Sequence, residues 1–264
     1  EEFVRQGKAR FIGFSSHTVP VALQAARSGK FDLLMFPINP AFDRLPGETG
    51  TDDLNKLWDQ AYFVKPEDQP AGADEGGCPS DRRQVYLECA SRGIGLVAMK
   101  PFAGGWLFRP DLDTGFRPVN LIHYALSQPG VSCVAPGAAT LEQLAEDVRY
   151  LTASAEETDY SAALANSRWN SQGACMYCSH CQPCTAGIDI AEINRLLDQV
   201  STANLDQVRQ AYRQLEVLAS ECQACEECMD RCPFGVDVVT RMKRAVALFE
   251  GTAVSSFPGV NPQG

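Results

Sequence analysis

Eight of the eleven cysteines in this 264-residue chain are gathered into two short runs, and only Cys78, Cys89 and Cys133 lie elsewhere. The first run is Cys175-Met-Tyr-Cys178-Ser-His-Cys181-Gln-Pro-Cys184, spaced C-x2-C-x2-C-x2-C. The second is Cys222-Gln-Ala-Cys225-Glu-Glu-Cys228-Met-Asp-Arg-Cys232-Pro233, spaced C-x2-C-x2-C-x3-C-P. A secreted disulfide framework spreads its cysteines to close loops, whereas thiols two residues apart are better placed to share a metal centre than to bridge one another. Three thiolates at x2 intervals on a tightly curled backbone can reach three corners of a cubane, and a fourth, set apart by Pro, serves the other cluster in two-cluster ferredoxins. That rule predicts one [4Fe–4S] cluster on Cys175, Cys178, Cys181 and Cys232, and a second on Cys222, Cys225, Cys228 and Cys184. Two tetrahedral zinc sites, each with four cysteine ligands, are the alternative that spacing alone leaves open, although zinc sites usually offer cysteines as separated pairs. The clustering also reads as a reducing compartment and a cytoplasmic protein.

Between the runs, apolar residues recur at helical spacing: Ile190, Ile193, Leu196, Leu197 and Val200, then Leu205, Val208, Tyr212, Leu215 and Leu218. This predicts a hairpin of two helices that the crossed ligand sets pin together. Such an arrangement resembles an α-helical ferredoxin, as in the iron–sulfur subunits of fumarate reductases. Tyr177, His180 and Phe234 read as packing around the clusters.

The rest of the composition narrows the partners. Hydrophobic residues make up 45% and charged residues 21%, which is globular, and 33 acidic against 23 basic residues leave a net charge of −10, a field that repels nucleic acid phosphates. Apolar stretches such as residues 94–99 fall far short of the ~20 residues that span a bilayer. Nucleic acid and membrane are therefore set aside as partners.

Upstream of the cysteines the pattern alternates. The opening Glu1-Glu2-Phe3-Val4-Arg5-Gln6-Gly7-Lys8 looks like the end of an amphipathic helix reaching a Gly stop. Strands are predicted at residues 10–16, 31–38, 94–99 and 131–135, and helices at 19–28, 80–91, 119–127 and from the capping-box sequence Thr140-Leu-Glu-Gln143 to about 151. Residues 40–80 are a long insertion rich in Pro, Gly and Asp, with helical character around 52–62. Four βα units predict a parallel sheet with helices outside it, but a (β/α)8 barrel needs eight. The expectation is an α/β chain: the C-terminal half of a (β/α)8 TIM barrel over residues 1–155, a linker or connecting helix over 156–172, an all-α helical ferredoxin-like domain over 173–251, and a tail over 252–264. A first barrel half would then precede this stretch. A half-barrel that closes by dimerising is the competing arrangement.

With both halves described, the chain resembles the aldo/keto reductase family, in its members with a C-terminal ferredoxin-type extension. The resemblance is carried by Gly7 through His17 (GKARFIGFSSH), Phe31-Asp32 through Asn39-Pro40, Gly93-Ile94-Gly95 through Met99-Lys100-Pro101, Pro136-Gly137-Ala138, and both cysteine runs. It implies a nicotinamide cofactor lying across the C-terminal ends of the strands, and a small carbonyl or alcohol substrate. Ser15 and Ser16 match the pair near the nicotinamide amide, where the family often has Ser-Asn. Asn39 falls on the same rim, Met35 where many members have Gln, and Met99 where many have a stacking aromatic. Lys100 lies at a strand end near the nicotinamide side. Gly137, Ala138 and Thr140 match the stretch that holds the phosphate and adenosine end, where free N–H groups and a helix dipole suit an anion. From Val134 to Val148 there is no Lys or Arg, while Glu142, Glu146 and Asp147 are present, so NAD is favoured over NADP. The family's catalytic Tyr, Asp, Lys and His belong to the first barrel half, so no catalytic residue is assigned. His17, His123 and Tyr124 read as cap and packing. The implied activity is hydride chemistry linked, with the help of a redox partner, to one-electron transfer through the clusters. An electron-carrier module with a scaffolding barrel, and a metal-stapled structural domain, are the other readings.

Overall fold

Alternation of strand and helix patterns is what the first part of the chain builds. The computed structural model describes residues 1–44, 81–108, 115–165, 173, 175–200 and 204–251. Two units separate by their internal contacts, Glu1–Glu75 with Pro79–Asn170 and Gly76–Cys78 with Ser171–Gly264. No helix among the described residues is long and apolar enough to cross a membrane. The predicted helix at 52–62, Cys78 and the tail lie outside the described residues.

The first unit is α/β. Strands β1 (Gly13–Ser15), β2 (Leu33–Pro37), β3 (Gly95–Met99) and β4 (Val131–Ala135) form one parallel sheet in the order β1-β2-β3-β4. Gly13 pairs with Leu33, Leu33 with Gly95, and Leu96 with Val131. The first two strands are shorter than the pattern predicts. The Asp32 carboxylate accepts the Ile12 N–H at 2.8 Å, so a side chain takes over where the ladder would otherwise continue.

Helices α1 (Glu2–Arg5), α2 (Val19–Arg27), α3 (Asp81–Arg92), α4 (Pro118–Leu126) and α5 (Leu141–Val148) alternate with the strands. Prolines enter the first turns of α2 and α4, where a missing N–H costs nothing. Thr140 caps α5, its Oγ1 accepting the Gln143 N–H at 3.2 Å. The predicted run to residue 151 tightens into a 3-10 turn over Arg149–Thr152, where Arg149 turns to pair with Glu146 and Glu157. The connecting stretch carries two short helices, α6 (Ala155–Thr158) and α7 (Ser161–Ala165), with Tyr160, Ser161 and Leu164 buried.

The strand period of two sorts the sheet's faces. Leu34, Phe36, Leu96 and Ala98 are buried, and the Tyr86 ring of α3 stands edge-on to Phe36 at 6.2 Å. Leu33 and Met35, pointing the other way, are 40% and 37% exposed. Along α5 and its 3-10 extension, Leu141, Leu144, Val148 and Leu151 are also exposed. Apolar surface is thus left open on one sheet face and on the last helix.

The second unit is helical. Helices α8 (Ile190–Gln199) and α9 (Leu205–Tyr212) form the predicted hairpin, α10 (Glu227–Asp230) lies within the second cysteine run and carries Cys228, and α11 (Val238–Ala245) follows it. Asp189 and Asn204 cap α8 and α9. Ile193, Leu196, Leu197, Val208, Tyr212, Met242, Ala245 and Phe249 form the core. The second helix ends at Tyr212 rather than near Leu218. Its hydroxyl accepts the Ala219 N–H and donates to Glu250, each at 2.6 Å, so the buried ring folds the chain back across the unit. Arg241 on α11 bonds Asn194 and pairs with Asp198 at 2.5 Å, locking α11 to α8.

Candidate functional site

The cysteine loops depend on an unusual backbone. Six described non-glycine residues have positive φ, and four of them sit inside the two runs: Tyr177 (55°), Ser179 (62°), Ala224 (51°) and Glu226 (64°). They occupy equivalent places, immediately before and after the second cysteine of each run. Left-handed geometry costs a residue with a Cβ roughly 1–2 kcal/mol, so its repetition at matched positions marks a loop held for a purpose. The result is a curl that turns successive thiols inward. The His180 N–H donates to the Cys178 sulfur, and the Ala224 N–H to the Cys222 sulfur. Such N–H···S bonds stabilise thiolate and tune a bound centre.

The thiols stand in two electrostatic groups, and the groups cross. Burial pushes Cys178 up to about 11, the His180 N–H opposes this, and Cys175 and Cys232 add to it. Burial likewise pushes Cys181 up to about 12, with Cys175, Cys178 and, more weakly, Cys228 adding. Cys222 and Cys228 are raised by burial and by one another's neighbours, Cys184 and Cys225. A small cavity is lined by Cys184, Cys222, Cys225 and Cys228, four thiols drawn from both runs. Each neighbourhood draws thiols from both runs, and Cys181 also feels Cys228. Four soft sulfur donors around one small cavity suit a thiolate-bound metal centre, whose cationic charge would displace the protons that burial otherwise holds on these thiols. Among the described residues, no three His, Cys, Asp or Glu side chains close on a single metal ion.

The surroundings hold these loops in place. The Tyr177 hydroxyl donates to Asp198 at 2.7 Å, and the Arg195 guanidinium lies 5.1 Å from the centre of its ring. Phe234 is buried and its carbonyl accepts the Gly173 N–H at 2.6 Å.

In the first unit, a cavity of about 880 Å³ opens beyond the C-terminal ends of β3 and β4. The structure gathers Met99, Lys100, Gly137 and Ala138 in its lining and leaves Ser15, Ser16, Asn39 and Thr140 outside it. Ser15 is exposed and pairs in register with Met35. The Ser16 hydroxyl is turned to the chain, donating to the Thr18 carbonyl and accepting the Thr18 N–H. Asn39 is fully buried: its Nδ2 donates to the Lys100 carbonyl at 2.9 Å and its Oδ1 accepts the Phe42 N–H. It acts on the cavity indirectly, fixing Lys100 at a φ of 53°. Beneath it, buried Arg82 donates to the Pro37 and His17 carbonyls and so ties the ends of β2 and β1 together.

Sequence reasoning missed Phe102 and Phe108, whose rings lie 5.1 Å apart in the wall. The signal that could have found them is Gly104-Gly105, both at positive φ, which turns this aromatic segment over the strand ends. Glu142, Glu146 and Asp147 line the same space. Asp147 is raised by burial first and by Glu146 second. The N–H groups expected to be free for an anion are partly engaged: Ala139 donates to the Gln143 side chain, Gln143 to Thr140, and Glu142 to its own carboxylate. An anion here would have to displace these caps and tolerate three carboxylates.

The tempting catalytic substitutes are occupied elsewhere. Tyr124 and Tyr86 both donate to buried Asp43, at 2.6 and 2.5 Å. His123 Nδ1 lies 3.3 Å from the Tyr150 hydroxyl, and His17 is held below its ordinary value by burial, Lys100 and Arg82. No family model, curated protein or solved structure matches this chain.

Proposed function

We propose that this chain is an iron–sulfur oxidoreductase resembling aldo/keto reductases. The observation that carries the reading is the pair of cysteine loops with matched left-handed residues and thiols grouped across the two runs. Cys175, Cys178, Cys181 and Cys232 would hold one [4Fe–4S] cluster, and Cys222, Cys225, Cys228 and Cys184 the other. Bound there, each cluster accepts and releases one electron at a time. The helical second unit is then a ferredoxin-like domain, and the N–H donors of His180 and Ala224 stabilise its ligand sulfurs.

The first unit is read as four βα units of a (β/α)8 barrel. Sequential strand order and an uncovered face carrying Leu33 and Met35 support this, because further strands would cover that face. The cavity beyond β3 and β4 lies where barrel enzymes keep their sites. In it Met99 and Phe102 would flank a nicotinamide, and the carboxylates of Glu142, Glu146 and Asp147 suit ribose hydroxyls better than a 2′-phosphate, so NAD is preferred to NADP. The substrate class is a small carbonyl or alcohol, and a redox partner protein would divide the hydride's two electrons between single-electron carriers.

The deciding experiment is iron and acid-labile sulfide per chain on anaerobically prepared protein, followed by the visible spectrum with NADH. About eight iron and eight sulfide with bleaching by NADH is the expected result. Zinc without sulfide overturns the redox reading and leaves a metal-stapled structural domain. The capped start of α5 and the carboxylates around the cavity favour a second reading, an electron-transfer module whose first unit is a scaffold. Full clusters whose spectrum ignores NADH would leave this electron carrier, or a reductase without its catalytic half.

A further inference from the structure

In the proposed ligand sets each cysteine run changes allegiance once, between Cys181 and Cys184 in the first run and between Cys228 and Cys232 in the second. Arg231 stands at the second change and reaches the first: its Nη2 donates to the Cys181 carbonyl at 3.0 Å and to the Pro183 carbonyl at 2.8 Å. Its Nη1 is 3.5 Å from Glu227, and its side chain also lines the cavity of Cys184, Cys222, Cys225 and Cys228. One guanidinium therefore grips peptide groups beside a thiol of each group. Two carbonyl bonds from a single nitrogen fix the position of this charge, which a surface arginine lacks.

We propose that Arg231 is a positioning residue that sets the reduction potentials of both clusters together, by holding one positive charge at the point where the two runs cross. The inference rests on the two-cluster reading above. Each reduction adds one electron and no proton, so the cluster site gains a full negative charge in a part-buried setting. A guanidinium fixed near both sites stabilises both reduced states, and it offsets the repulsion that the first added electron exerts on the second.

The test is a redox titration of the anaerobic full chain, followed by electron paramagnetic resonance, on Arg231→Gln and Arg231→Lys. Iron and sulfide content are measured on the same samples. With iron retained, Arg231→Gln is expected to lower the midpoints of both clusters, by about tenfold in each reduction constant, which is ~59 mV for a one-electron couple. Arg231→Lys keeps the charge but not the two-carbonyl grip, and a smaller shift in the same direction is expected for both clusters. Full iron with unmoved midpoints in Arg231→Gln, or movement of one cluster alone, overturns the proposal. If Arg231→Gln loses iron, Arg231→Lys decides: retained clusters with both midpoints lowered by less than the tenfold figure support it, and loss of iron there too overturns it. Wild-type protein with no iron–sulfur signal fails the underlying reading instead, and that failure is seen before any variant is made.

Discussion

The two units treat incompleteness in opposite ways. In the helical unit the apolar faces of α8, α9 and α11 meet one another, and what the fold leaves open is a set of thiols raised by burial and by each other. In the α/β unit buried Asp43 accepts from two tyrosines, and what is left open is apolar: Leu33, Met35, Leu141 and Leu151. One unit gathers thiols around a small cavity, and the other leaves apolar side chains at its surface.

That contrast can be broken most forcefully at the proposed clusters. If the second unit holds them, chelation should take away folding free energy on the order of 10 kcal/mol, by analogy with structural metal sites. Limited proteolysis read by mass spectrometry should then show cuts within residues 171–264 while the first unit stays resistant; a second unit that resists without metal would break the comparison. Next in size is a pair of neighbours on β2. Phe36→Ala, on the covered face, should cost about 3–5 kcal/mol in urea unfolding, and Met35→Ser, on the open face, within about 0.5 kcal/mol. A loss of about 2 kcal/mol or more at Met35 would show that the face is covered in solution.

Gly130→Ala probes the covered side again. Gly130 has a φ of +74°, and an added Cβ would lie 3.0 Å from the Ala90 backbone nitrogen on α3, so about 1–3 kcal/mol is expected. Gly29, at +68° with open space around it, should lose less under the same change. The smallest effect is a pH slope. Burial holds His123 below its ordinary value of 6.5, partly offset by Asp159, so the unfolded chain takes up the proton first as pH falls. Stability of the first unit should therefore decline as the pH falls through the ordinary histidine value of 6.5, and His123→Gln should flatten that decline in urea midpoints. An unchanged slope would show that the ring is fully solvated.

Much of this could be read from local pattern, because local pattern is what decides it. The bounds of β4, the Thr140 cap and the helical hairpin follow from residues within a few positions of one another. What escaped is non-local or conformational. The Asp43, Tyr86 and Tyr124 cluster joins residues 43 and 81 positions apart. Arg82, a charged residue of α3, is buried because the Phe36 ring and two strand-end carbonyls receive it. The left-handed residues of the cysteine loops are Tyr, Ser, Ala and Glu, so no glycine announced them. In the cavity, the pattern placed Lys100 and Gly137 at strand ends, but only the three-dimensional structure shows that Asn39 serves the backbone instead.

The sheet order β1-β2-β3-β4 bears on how such a chain reaches its structure. Each strand pairs with the one synthesised just before it, so the sheet can grow in the direction of translation without waiting for a distant partner. At every stage the newest strand is a template with unpaired N–H and C=O groups, ready for the next. Growth of this kind has no internal stop signal: β4 ends it only by yielding to α5, whose own apolar residues remain outside. Crowded ribosomes would therefore present these nascent edges to one another, and the yield of correctly folded chains should depend on how fast translation carries each edge past its exposed stage.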